Sequence, residues 1–233
     1  DAYWQQTRTV FSIHNMAYQG VFGADELWKF GFGGEQERNA FLSNGAASAM
    51  KAGLSVSDTL STVSRRYAQE IQMPENGYGL DWLTRQRSDR LIGITNGVDY
   101  EVWDPRTDPE IGAHFDEHNL SGKRECKRLL LEEFLLPVRI ERPIFANITR
   151  LTAQKGIDLM MQVAGEILAT GAYIISLGSG EKRYEDFWQA LRDHAPDQVG
   201  IFRGYNESLA HKIEAGADMF MMPSKFEPCG LNQ

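Results

Sequence analysis

Pro143-Ile-Phe-Ala-Asn-Ile-Thr-Arg-Leu-Thr-Ala-Gln-Lys-Gly156 is the stretch whose reading decides the fold. Pro143 to Ile148 is a short apolar run of strand length. Gly156 to Thr170 follows with Ile157, Met160, Met161, Ala164, Ile167 and Leu168 at helical spacing. The turn between them holds Arg150 and Lys155. A strand-to-helix turn aims backbone N–H groups and the positive end of the helix dipole at whatever docks there, so two cations on it read as an anion clamp. Two ordinary solvated charges are the competing reading, because Arg and Lys are mostly exposed.

Downstream the same alternation continues. Tyr173 to Leu177 reads as a strand ending in Gly178-Ser-Gly180, Tyr184 to about His194 as a helix, and Val199 to Arg203 as a strand. Glu207 to Ala215 reads as a short helix and Asp218 to Met222 as a closing strand. Strands alternating with helices imply parallel βαβ units and a doubly wound α/β sheet, whose ligands bind beyond the carboxyl ends of the strands. Arg150, Gly178, Tyr205 and Glu227 each follow a strand in this reading and are expected on one rim.

Upstream the pattern is similar but less complete. Thr9 to Ile13 is an expected strand running into His14. Phe41 to Ala52 is an expected amphipathic helix, Asp58 to Val63 a strand, Tyr67 to Ile71 the start of a helix, and Leu91 to Ile94 a further strand-like run. Residues 103–142 are rich in turns and charge, with one helix expected at Lys123 to Leu135. The expected organisation is one α/β domain over 1–102, a connector over 103–142, and a second α/β domain over 143–233.

Composition bounds the function. The chain has 233 residues, 42% hydrophobic and 24% charged, which is enough for sizeable cores. A net charge of −8 argues against nucleic acid as the main partner, since phosphate-backbone binding wants a basic face. The two cysteines, Cys126 and Cys229, suggest neither a disulfide framework nor a zinc spacing, and fit a reducing compartment. No apolar run reaches membrane-span length, so no membrane partner is expected.

Several motifs occur in order along the chain: Ser12-Ile-His-Asn-Met-Ala-Tyr-Gln-Gly20, Leu60-Ser-Thr-Val-Ser64 with Tyr67-Ala-Gln-Glu-Ile71, and Gly93-Ile-Thr-Asn-Gly-Val-Asp99 with Trp103. They continue with Arg150-Leu-Thr-Ala-Gln-Lys-Gly156, Gly178-Ser-Gly180, Gly204-Tyr205 and Pro223-Ser-Lys-Phe-Glu-Pro-Cys-Gly-Leu231. With them the chain resembles the starch synthase and bacterial glycogen synthase family. That resemblance implies a glycosyltransferase-B fold, in which two Rossmann-like domains face each other across a cleft, both incomplete in this chain. It further implies a retaining transfer of glucose from ADP-glucose to the non-reducing 4-hydroxyl of an α-1,4-glucan. The implied partners are ADP-glucose and the glucan, and the implied place is the bacterial cytoplasm or the plastid stroma. No cofactor is implied beyond the donor substrate. No metal is implied either, basic residues standing where other transferases hold a divalent ion.

The resemblance also assigns roles. Arg150 and Lys155 stabilise the departing diphosphate, Glu227 bonds the glucose hydroxyls, and His14 stands near the anomeric centre or the glucose 6-hydroxyl. Tyr205 is a stacking partner for adenine, and Asn96 lines the sugar site. Gly178, Cys229, Gly230 and Leu231 shape the loops around the substrate. The family's Lys-x-Gly-Gly loop would lie before Asp1 and its glycine-rich phosphate loop beyond Gln233. The chain is therefore expected to be an internal part of the enzyme, inactive by itself. Arg65 stands where relatives often carry Pro.

Two patterns compete for attention. His114-Phe-Asp-Glu-His118 fits an inverted zinc-peptidase pattern, but no long apolar helix is expected there to hold it. Asn147-Ile-Thr149 and Asn206-Glu-Ser208 fit the glycosylation pattern, which has no meaning for a cytosolic or plastid chain. A transferase using another nucleotide sugar and a non-catalytic glucan-binding homologue are the alternatives. Retention of Arg150, Lys155 and Glu227 together counts against the second.

Overall fold

The computed structural model describes residues 6–232, which form two units: residues up to Gly97 together with those from Pro228 onward, and Val98–Glu227.

In the first unit, β1 (Val10–Ile13) is followed by β2 (Val21–Phe22), a 3-10 turn at Ala24–Phe30 and α1 (Glu35–Phe41). Next come β3 (Leu42–Ser43), β4 (Ala46–Ser48), α2 (Ala49–Val56) and β5 (Thr59–Thr62). The unit continues with α3 (Arg65–Glu70), α4 (Pro74–Gly77), α5 (Asp81–Gln86) and β6 (Leu91–Gly93). β1, β5 and β6 make a parallel sheet with β5 central, while β2, β4 and β3 make a small antiparallel one. The core beneath the parallel sheet collects Ile13, Met16, Leu54, Leu60, Tyr67 and Ile71, with Cys229 packed against it.

The expected helix over Phe41 to Ala52 is corrected. Asn44 and Gly45 have φ of 48° and 83°, so the chain turns back there as a β3–β4 hairpin. Asn-Gly is the pair that reaches left-handed φ at both central positions most cheaply, and it overrides the helical spacing of the apolar residues around it. Ser48 then restarts a helix by accepting the Lys51 N–H at its side-chain oxygen, 3.1 Å. Ser64 does the same for α3 through the Tyr67 N–H, 3.0 Å, so Arg65 opens that helix without proline.

The second unit contains α6 (Ser121–Glu133), β7 (Ile144–Ile148), α7 (Ile157–Ala169) and β8 (Tyr173–Gly178). It closes with α8 (Lys182–His194), β9 (Val199–Arg203), α9 (Glu207–Gly216) and β10 (Met219–Phe220). The sheet order is β10-β7-β8-β9, parallel throughout. Ile144, Ala146, Tyr173 and Ile175 face α6 and α9. Ile174 faces α7 and α8, among Ile157, Met160, Ala164 and Trp188. Helices therefore cover both faces, and the strands read as continuous apolar runs because neither face meets water.

Residues 103–142 pack into this second unit rather than spanning between units. Leu130 and Leu131 of α6 lie in its core. The Lys127 ammonium, buried, bonds the Ile140 carbonyl and the Asp218 carboxylate, both at 2.8 Å. Trp103 stacks on His211 of α9, ring centroids 3.6 Å apart, and His211 Nδ1 lies 2.6 Å from the buried Asp108 carboxylate. The boundary falls at Gly97/Val98, and the segment from Pro228 groups with the first unit. Asn147, in the first glycosylation pattern, is wholly buried in β7, and Asn206, in the second, caps α9 through the Leu209 N–H at 3.0 Å.

Candidate active site

In the second unit β7, β8 and β9 follow one another in space, and β10 returns to the other side of β7. The carboxyl ends of β7 and β10 therefore flank the point where strand order reverses, the place where open α/β sheets bind ligands. The β7 loop supplies Arg150 and Lys155, and the β10 loop supplies Glu227.

These two loops are stitched together by their backbones. The Lys225 N–H donates to the Gln154 carbonyl at 2.9 Å, and the Gln154 side-chain amide reaches the Phe226 carbonyl at 3.4 Å. Gly156 has φ 71°, and a Cβ there would stand 1.9 Å from the Pro223 carbonyl oxygen, so only glycine lets the backbones meet. On this seam the Lys155 ammonium donates to Glu227 Oε2 at 2.7 Å, with side chains 17% and 18% exposed. Of the two cations expected to clamp a diphosphate, Lys155 is thus one half of a cation–carboxylate pair. One ammonium N–H is spent on Glu227. The other two and Glu227 Oε1 remain for a ligand, with the N-terminus of α7 beginning at the next turn.

The β8 loop joins the same rim. Gly178 would place a Cβ 1.9 Å from the Thr149 carbonyl, and the Leu151 N–H donates to the Ser179 carbonyl at 2.9 Å. Gly178 therefore holds the Arg150 loop close to β8. The Gly180 N–H is taken by Glu185 at 3.0 Å. Arg150 is exposed, as is Tyr205 at 82%, whose hydroxyl donates to Glu207 at 2.7 Å. That bond to a carboxylate raises the phenol pKa.

In the first unit His14 leaves β1 with its ring exposed and no hydrogen bond among the described residues, while Met16 beside it is fully buried. Asn96 is exposed on the loop after β6. Pro228 is buried, its carbonyl accepting the Ser64 hydroxyl at 2.7 Å, and Cys229 is half-buried against the core. Gly230 is half-buried and Leu231 exposed. The residue that sequence reasoning passed over is Tyr67, whose phenol oxygen accepts the Met16 N–H at 2.9 Å across the loop bearing His14. His118, of the zinc-like pattern, points to solvent beside Glu117, and among the described residues no three His, Cys, Asp or Glu side chains group together as a metal site. No helix among them is long and apolar enough to cross a membrane.

Two parallel-sheet α/β units, one with a half-buried ion pair at its switch point, match the glycosyltransferase-B type of fold. The chain's relatives agree. A family model for the starch synthase catalytic domain matches residues 1–86. A glycogen synthase of Anaeromyxobacter dehalogenans is 50% identical over 228 residues, covering 97% of this chain and 48% of the relative. Glycogen synthase 1 of Geobacter metallireducens is 45% identical over 234 residues, covering 100% of the chain and 47% of the relative. The catalytic domain of Starch Synthase IV from Arabidopsis thaliana, solved bound to ADP and acarbose, superposes with a TM-score of 0.88 at 33% identity. That match covers 99% of this chain and 50% of the other. Over nearly its whole length the chain is similar to starch synthases and bacterial glycogen synthases, and it spans about half the length of the curated relatives it matches.

Proposed function

We propose that the whole protein is a retaining glucosyltransferase that moves glucose from ADP-glucose to the non-reducing 4-hydroxyl of an α-1,4-glucan. The observation that carries this reading is the Lys155–Glu227 pair, 2.7 Å, at the switch point between β7 and β10. It sets a donor for diphosphate oxygens beside an acceptor for sugar hydroxyls. The Arabidopsis relative's bound ADP and acarbose support a nucleotide diphosphate and an oligosaccharide as the two ligands.

Cleaving the anomeric bond builds negative charge on ADP and oxocarbenium character on glucose. In this reading Arg150 and Lys155 stabilise the diphosphate as it departs, a role in which fixed charges in a dry site are worth about 3 kcal/mol or more. Glu227 bonds the glucose hydroxyls and orients the ring, and His14 acts near the anomeric centre or the glucose 6-hydroxyl. Tyr205 stacks on the adenine and Asn96 lines the sugar site. Gly178 keeps its loop close, and Cys229, Gly230 and Leu231 shape the turn after Glu227. The reaction needs no divalent ion. The bacterial glycogen synthases among the relatives favour glycogen as product.

The test is glucose incorporation into glycogen by the full-length protein, with ADP-glucose and UDP-glucose side by side and with a chelator present. Strong preference for ADP-glucose is the expected result. Preference for UDP-glucose moves the protein to another transferase branch, and incorporation from neither leaves a glucan-binding homologue.

A further inference from the structure

The loop carrying His14 is fixed on both sides by buried side chains from one neighbouring stretch of chain. Before it, Thr62 at the end of β5 donates its hydroxyl to the Ile13 carbonyl at 2.7 Å. After it, the Met16 N–H donates to the Tyr67 phenol oxygen at 2.9 Å. Thr62 and Tyr67 are 2% and 1% exposed, and Met16 is wholly buried. Between these pins Asn15 closes a local turn, its side-chain oxygen accepting the Ala17 N–H at 3.0 Å. The backbone that presents His14 is thus tied at each end, while the imidazole itself stays open.

Packing alone does not call for a hydroxyl at position 67. A phenylalanine would fill the same space among Met16, Leu80 and Ile71, and would spare the cost of burying a polar oxygen. Burial raises the Tyr67 pKa, with the Met16 bond opposing, so the phenol is neutral at physiological pH. What the hydroxyl adds is one directed bond, to the peptide two residues beyond His14. α3 is aimed for that task by its own cap, since Ser64 fixes the first turn through the Tyr67 N–H.

We infer that Tyr67, with Thr62, is a positioning residue for the glucosyl transfer: its buried hydroxyl sets the direction in which His14 leaves β1, and it acts on the reaction only through His14. The inference rests on the reading that His14 works in the transfer. The test is a double-mutant cycle in the full-length protein, comparing parent, Tyr67→Phe, His14→Ala and the double variant for kcat, KM for ADP-glucose and melting temperature. Tyr67→Phe is expected to lower kcat by about tenfold to a hundredfold with KM within about threefold, the size a small misplacement of a reacting group produces. In the His14→Ala background the same change is expected to alter kcat by less than about twofold, although the melting temperature falls by the same amount in both backgrounds.

A Tyr67→Phe loss in kcat that persists undiminished without His14 overturns the inference and leaves Tyr67 as a core residue. Unchanged kcat in Tyr67→Phe overturns it as well. A His14→Ala protein as active as the parent removes the reading of His14 itself, and with it this role. Thr62→Val, nearly isosteric, repeats the cycle from the other pin should Tyr67→Phe fold poorly. If the His14→Ala background turns over too slowly to read, the His14 amide chemical shift decides: displaced in Tyr67→Phe by the inference, unmoved against it.

Discussion

Gly156→Ala opens the seam on which the ion pair sits. An added Cβ would stand 1.9 Å from the Pro223 carbonyl oxygen, while real contacts begin near 3.0 Å. One backbone must therefore retreat by about 1 Å. That retreat weakens the 2.9 Å bond from the Lys225 N–H to the Gln154 carbonyl, a loss of about 1 kcal/mol. A side chain at a left-handed φ of 71° adds strain, about 1 kcal/mol. With the pull on the Lys155–Glu227 bond the total is about 3 kcal/mol. Gly171→Ala is the control, because its φ is 84° but nothing lies within 4 Å of an added Cβ. It should lose only the strain, about 1 kcal/mol, and keep full activity. Urea unfolding and steady-state incorporation on the full-length protein measure both variants. Gly156→Ala is expected to lose kcat/KM by about a hundredfold, as a displacement of that size near reacting groups does. Equal destabilisation of the two variants, with Gly156→Ala activity within about threefold of the parent, would refute the seam as the device that sets the site.

Lys155→Met leaves the Glu227 carboxylate without its cation, and Glu227→Gln keeps the shape but not the charge. Each is expected to cut kcat by about a hundredfold or more with the fold intact, and a variant within a few-fold of the parent would remove that residue from the transition state. Asp108→Ala leaves His211 buried without its acceptor, and should cost about 3–5 kcal/mol in urea unfolding; a loss under about 1 kcal/mol would mean the pair contributes little. Glu214 has its pKa raised from 4.5 by burial, with the charge on His211 opposing. Its ionised form therefore costs stability once pH exceeds the folded-state value, and the cost vanishes as pH falls below the unfolded one. Glu214→Gln should accordingly raise the urea midpoint at pH 7 and lose that advantage near pH 4, and a lowered midpoint at pH 7 would contradict the sign.

The second half of the chain was legible because its signal is local. β7, β8 and β9 are short apolar runs separated by helices of matching spacing, and the expected bounds lie within two residues of those found. The loop residues after these strands could be named for the same reason. Contacts between residues far apart in sequence left no such trace. The Trp103–His211–Asp108 stack joins residues 103 positions apart, so 103–142 read as polar linker although it builds a core. The Tyr67–Met16 bond spans 51 positions, and a tyrosine on a short helix carries no mark of what its hydroxyl holds. The Asn44–Gly45 turn is different. Its chemistry is in plain view in the sequence, and it outweighs the helical spacing of the apolar residues around it.

The way α6 is rooted has a consequence for anyone recombining this chain with its relatives. A Cβ at Gly216 would stand 2.9 Å from the Leu130 side chain, so the α9 backbone packs directly on Leu130 of α6. Lys127 and Lys123 tie α6 to Asp218 and to the Ala215 carbonyl. A chimaera joined at residue 142 would set α6 of one parent against α9 of another, mismatching volumes at a close-packed joint. One joined at Gly97/Val98, with Pro228 onward taken from the donor of the first unit, inherits each core from a single ancestor.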